Sequence, residues 1–133
     1  EVVILSYPGE PQEDYVKRIV AVGGETVEVR AKQLLVDGYP ELPAPGVKHA
    51  DPDTLRAASA RRDWFPRTVV PRDSLFVLGD HRDFSFDSRS WGCLPRKNLR
   101  GRAAWILWSL DPAVPWTQPA RKLRDGRRLV RVE

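Results

Sequence analysis

Methionine is absent from all 133 residues, cysteine occurs once, and histidine occurs only at His49 and His81. One thiol, Cys93, excludes an intramolecular disulfide. With two distant histidines it forms no metal motif, so the residues imply neither metal nor cofactor. Apolar runs are short, and none approaches the ~20 residues with which a helix spans a bilayer. Lysine is scarce: Lys17, Lys32, Lys48, Lys97 and Lys122 are the full set, so arginine carries most of the formal charge of +4. Acidic residues are interspersed with the basic ones. That pattern reads as a solvated surface and gives no reason to expect a nucleic-acid partner. The chain opens on Glu-Val-Val-Ile-Leu instead of methionine, which predicts that the natural protein continues upstream.

What is present is a globular composition, 41% apolar and 30% charged, at the length of a single domain, 1–133. Val2 to Tyr7 is a short apolar run closed by Pro8-Gly9, followed by an acidic turn through Pro11 to Asp14. Tyr15 to Val22 reads as a strand with Tyr15, Lys17, Ile19 and Ala21 on one face. Thr26 to Arg30 alternates, and Gln33 to Val36 with Asp37-Gly38 reads as a hairpin. Residues 40–68 are punctuated by Pro40, Pro43, Pro45 and Pro52 and read as an insertion with a short helix over Leu55 to Arg62. A second β block starts at Thr68 and runs through Leu75 to Leu78. Further strands are expected over Arg102 to Leu110 and at the end of the basic tail, Arg121 to Glu133. Short strands with Gly/Pro turns predict an all-β domain of antiparallel sheets. Trp91, Trp105 and Trp108 fall in strand contexts and are expected in the core, whereas Trp64 and Trp116 are candidates for a membrane-facing surface.

Two segments carry chemistry. Lys17 lies in Asp14-Tyr-Val-Lys-Arg-Ile-Val-Ala-Val, among apolar neighbours on both faces. A lysine is protonated at neutral pH, but an apolar wall disfavours the ammonium and lets the amine act as a base toward a serine hydroxyl. On these residues alone a strand lysine that snorkels to solvent is the competing reading. The other segment, Gly79-Asp-His-Arg-Asp-Phe-Ser-Phe-Asp-Ser-Arg-Ser-Trp-Gly92, is dense in carboxylates, arginines and hydroxyls. Asp80, Arg82, Asp83, Asp87 and Arg89 are placed to cross-pair and stiffen the loop.

The second segment resembles the signature of bacterial type I signal peptidases, Gly-Asp-Asn-Arg-Asp-Asn-Ser-x-Asp-Ser-Arg-x-Trp-Gly, matching at ten of fourteen positions. His81 and Phe84 depart from it. The first segment is similar to the lysine box of the same family, with Gly23 and Glu25 as departures. The resemblance implies an all-β catalytic core, like that of the self-cleaving repressor proteases, with 40–68 as a variable inserted subdomain. It implies Lys17 as general base and Ser85 as the hydroxyl that orients it. Asp87 and Arg89 are implied as an ion pair near the site, and Asp80 and Arg82 as loop supports. Ile4, Tyr15 and Val16 are implied as walls of shallow substrate pockets. The activity implied is removal of signal peptides from secreted preproteins after small residues by Ser-Lys acyl transfer, without a cofactor. Signal peptides and the membrane lipid surface are the implied partners, and the implied location is the extracytoplasmic face of the cell membrane, held there by an N-terminal anchor.

The family's nucleophile occupies a Ser-Met-x-Pro box, and a chain without methionine has no such box. None of the seven serines, Ser6, Ser59, Ser74, Ser85, Ser88, Ser90 and Ser109, has the nucleophile's context. The expectation is therefore an upstream nucleophile and a fragment that is silent by itself. The alternative is a peptide-binding homologue that does not cut.

Overall fold

A computed structural model of the chain describes residues 1–42, 44–56, 61–106, 113, 117 and 130–131. The chain divides into two units, Glu1–Gly101 and Arg102–Glu133. In the first, β1 (Val2–Tyr7), β2 (Glu10–Val22), β7 (Ser74–Leu78), β8 (Leu94–Pro95) and β9 (Leu99–Arg102) form a sheet of order β8-β7-β2-β1-β9. A second sheet, of order β5-β4-β3-β6, uses β3 (Thr26–Arg30), β4 (Gln33–Val36), β5 (Tyr39–Pro40) and β6 (Phe65–Val69). The described part of the second unit contains a two-stranded pairing of β10 (Trp105–Ile106) with β11 (Val130–Arg131). The fold is all-β and antiparallel, as the alternation and turn residues require, and among the described residues it has one α-helix, the four-residue α1 (Ser88–Trp91).

β7 explains why the first sheet holds together. Its run Ser-Leu-Phe-Val-Leu has four consecutive buried residues and so serves two cores at once. Leu75 and Val77 join Val3, Leu5 and Leu94 on one face, while Phe76 and Leu78 join Ala21, Val27, Val29, Leu34, Phe65 and Val70 on the other. Each fully buried side chain of this kind contributes about 1.5–3 kcal/mol by leaving water. The second core lies between β2–β7 and the four-stranded sheet, and the rings of Phe65 and Phe76 meet across it at 5.2 Å. Asp37 and Gly38, with φ of 51° and 84°, turn β4 into β5, the positive pair that two-residue hairpins favour.

Local expectations are revised in four places. β2 starts at Glu10, not Tyr15: Tyr7 pairs with Glu10 and Ser6 with Asp14, so Pro11 to Glu13 form an outward bulge within the hairpin. A second bulge between Ile19 and Ala21 breaks the period-2 face of β2. Ile19, opposite Val77, packs in one core, and Ala21, opposite Phe76, lies in the other. The second β block begins at Phe65, inside the expected insertion, because Phe65 is a core residue. Trp105, expected in the core, is 59% exposed. The expected helix over 55–62 falls partly on residues 57–60, outside the described residues, as do Trp108 and Trp116. Among the described residues no helix is long and apolar enough to cross a membrane.

Candidate active site

Lys17 stands on β2 directly opposite Val3, a core residue of β1. Its Nζ donates a hydrogen bond to Ser85 Oγ at 3.0 Å, joining residues 68 positions apart. Partial burial pushes the Lys17 ammonium below the ordinary lysine range. The nearby Asp87 carboxylate works against that shift, and the Arg89 guanidinium adds to it. The result is an amine that gives up its proton more readily, already hydrogen-bonded to a hydroxyl.

Gly79 lets the two groups meet. It follows β7, and a Cβ built on it would lie 2.6 Å from Ser85 Cβ, collide with Ser85 Oγ and sit 3.6 Å from Lys17 Nζ. The Ser85 hydroxyl thus occupies the space that a side chain at 79 would fill. Gly79→Ala should therefore displace Ser85 from Lys17 and, because it removes a hydrogen bond to the ammonium and adds a methyl beside it, push the lysine titration further below its ordinary range, which NMR of the Lys17 ammonium would report. An unchanged titration would show that Ser85 has another way to reach the amine.

Asp87 fixes the loop that carries Ser85. Its carboxylate is fully buried and accepts from Gly79 N (3.1 Å), Arg89 N (3.2 Å), Arg89 Nε (2.9 Å) and Arg89 Nη2 (2.8 Å). It therefore caps α1, ties the end of β7 to the helix and neutralises Arg89 in one position. Arg89 extends the clamp, donating to the carbonyls of Arg62 at 2.9 Å and Arg82 at 2.7 Å. Ser88, also fully buried, accepts from Val77 N at 3.0 Å and locks α1 onto β7.

Cross-pairing within the loop is confined to Asp87 and Arg89. Asp80 instead takes a two-pronged ion pair from Arg18 of β2, at 2.7 and 2.9 Å. Arg82 reaches toward Glu41 at 3.8 Å. Asp83 turns to the insertion, accepting from Asp51 N at 2.8 Å and Lys32 Nζ at 3.2 Å, with His49 Nδ1 at 3.4 Å. Burial tends to raise the Asp83 carboxyl, but these partners outweigh it and hold it well below the usual carboxylate range. His49, Asp51, Arg62 and Asp63 are thereby stapled to the loop: Lys32 also donates to Asp51 O at 2.7 Å, and Arg62 pairs with Asp51 and the fully buried Asp63.

The three expected pocket residues divide between faces. Ile4 and Val16 are paired partners and share one face of the β1–β2 ribbon, where Val16 is 61% exposed. Tyr15 lies on the Lys17 face. Its ring stacks on Tyr7 at 5.3 Å and lies 5.5 Å from Lys17 Nζ. Tyr7 also meets Phe86, next to Ser85, and Trp91 of α1, edge to face at 5.5 and 5.9 Å. Ser6 is buried, with its hydroxyl 3.4 Å from Pro11 O.

Residue-by-residue reading missed Arg18, Gly79, Ser88, Arg62 and Lys32. Arg18, Gly79 and Ser88 lie inside the two motifs, so motif membership was the available signal. Arg62 and Lys32 lie outside them and had none.

The family model described as signal peptidase, peptidase S26, matches residues 1–108. The chain is 36% identical over 99 residues to a signal peptidase I of Leptolyngbya laminosa, covering 74% of this chain and 43% of that protein. It is 29% identical over 144 residues to signal peptidase I of Pseudomonas aeruginosa, covering 84% and 50%. Thylakoidal processing peptidase 1 of Arabidopsis thaliana is 36% identical over 109 residues, covering 80% and 29%. The chain thus spans half or less of the length of these relatives. A crystal structure of a signal peptidase I from Enterococcus faecalis superposes with a TM-score of 0.57 at 26% identity, covering 76% of this chain and 91% of that one.

Proposed function

The chain belongs to the signal peptidase family, peptidase S26, and from that premise we propose that its protein is a serine endopeptidase that removes signal peptides from secreted preproteins, with Lys17 as general base. The observation that carries this reading is the Lys17–Ser85 contact at 3.0 Å beside a buried Asp87–Arg89 pair. A partly desolvated amine takes the proton from a nucleophilic serine, the serine oxygen attacks the scissile carbonyl, and the amine returns the proton to the leaving nitrogen. Water then releases the acyl group by the same base. Ser85 positions the amine, and the nucleophile is supplied from outside the present residues. The substrate arrives as an extended strand along β2. Between Asp14 and Lys17 this strand is paired with β1, while its pairing with β7 begins only at Arg18. Side chains such as alanine before the scissile bond fit shallow walls from Ile4, Val16 and Tyr15. The protein works at the extracytoplasmic face of the membrane, where preproteins emerge.

One observation favours a second reading. Ser85 is itself a hydroxyl within hydrogen-bond reach of Lys17, the geometry of a Ser-Lys dyad. Against it, Ser85 Oγ fills the space beside Gly79 that a side chain there would take, which suits a group that positions the amine. Preprotein cleavage by the full-length protein, read by mass spectrometry at the cleavage junction, distinguishes the two. With Ser85 as a positioning group, Ser85→Ala should retain turnover at a rate lowered about 10–100-fold and should shift the pH profile. Complete loss, with a serine-reactive phosphonate attached to Ser85, would make Ser85 the nucleophile. Peptide affinity without turnover in the intact protein would favour a non-catalytic homologue.

A further inference from the structure

Arg82 is one of the most buried charged residues described, 6% exposed, yet its guanidinium is poorly compensated. Its Nε is buried without a hydrogen-bond partner, and its closest carboxylate is that of Glu41, 3.8 Å from Nη2. Such a group costs several kcal/mol unless something satisfies its donors. Burial pushes the Arg82 guanidinium down and the Glu41 carboxyl up, as for two charges too far apart to offset their loss of water.

Arg82 lines a cleft of about 330 Å³, at the lower end of the range for small-molecule sites. The other ionisable walls are Lys32, Lys48, His49 and Glu41. Lys32 and His49 are committed to Asp83 behind the wall, whereas Lys48 makes no ion pair among the described residues. The backbone fixes Lys48 beside Arg82: Lys48 N donates to Asp80 O at 2.9 Å and Arg82 N donates to Lys48 O at 3.0 Å. A planar guanidinium fork and a point ammonium on one cleft, with Glu41 the single carboxylate among the described lining residues, form a receptor for an oxyanion.

We propose that this cleft is a phosphate-binding site, in which Arg82 and Lys48 hold the phosphate group of a small solute or of a lipid headgroup. The phosphate takes over from Glu41 as the partner of Arg82. The site uses neither Lys17 nor Ser85, so it stands or falls independently of the proteolytic reading.

The test is a titration of the 133-residue chain with inorganic phosphate at constant ionic strength. It follows the Arg82 Nε–Hε resonance by NMR, assigned with Arg82→Lys. Saturable movement of that resonance is expected, with affinity about tenfold weaker in Lys48→Gln and about tenfold tighter in Glu41→Gln, the value of one charge-assisted contact. Phosphatidylglycerol vesicles form the second arm. Vesicle binding that phosphate competes away, and that Lys48→Gln weakens, identifies a headgroup. Phosphate binding with no response to vesicles identifies a soluble solute. The proposal is overturned if the resonance is unmoved in the unaltered chain, if it moves only in Glu41→Gln, or if Lys48→Gln binds phosphate as tightly as the unaltered chain.

Discussion

Lys17→Ala in the full-length protein should lower the rate of preprotein cleavage by a factor on the order of 10²–10⁴, the usual contribution of a positioned general base. Lys17→Arg should be equally inactive despite keeping the charge, because a guanidinium does not deprotonate in a protein. The loss should not be a folding defect: removing a partly desolvated amine relieves a cost, so Lys17→Leu should unfold at the same temperature as the parent or higher. The pH dependence has a defined sign. Lys17 acts as the free amine, so activity rises with pH, and burial places that rise below the ordinary lysine value of 10.5. Stability follows the same direction. Between the depressed folded value and 10.5 the unfolded chain binds the extra proton, so raising the pH through that window stabilises the fold. Asp87 favours the ammonium, and neutralising it should move the activity rise to still lower pH. An activity rise at or above 10.5, or full activity in Lys17→Ala, would falsify the assignment.

The second large effect is on stability. Asp87→Asn should cost about 3–5 kcal/mol in denaturant unfolding, the range for stranding one partner of a buried ion pair. Asparagine keeps the shape and can still accept from Gly79 N, but it leaves the 4% exposed Arg89 without its carboxylate. A double-mutant cycle separates this from general loop damage. Arg89→Met should cost far less in the Asp87→Asn background than alone, since the stranded charge is then gone as well. Strict additivity of the two changes would mean that the pair does not act as a unit. The insertion is tied into the same unit, because Arg89 also holds the carbonyl of Arg62.

Sequence carried much of this molecule because its information is local and chemical. Alternation and turn residues specify antiparallel strands, and an uninterrupted apolar run such as Leu75 to Leu78 has to be buried on both faces. Two motifs in order carried the family and nominated Lys17, Ser85, Asp87 and Arg89. Local pattern could not place the bulges in β2, since a bulge is set by the pairing partner, and Ala21 changes core because Phe76 lies opposite it. Nor could it pair the charges. Asp80, Arg82 and Asp83 sit within a few residues of each other yet go to Arg18, Glu41 and Lys32, because the chain bends at Asp80 and then winds through a 3₁₀ turn at Arg82–Phe84, which sends successive side chains in different directions.

The sequence by itself determined an all-β chain of the signal peptidase type, with a lysine in an apolar strand and a polar loop able to serve it. Only the tertiary structure decided that the two meet. Lys17 and Ser85 are 68 residues apart and touch because β7 pairs beside β2 and is followed by Gly79, which has no side chain to keep them separate. A pairwise contact across a sheet depends on register and on the volume left by a third residue, neither of which is written in the two residues that make it.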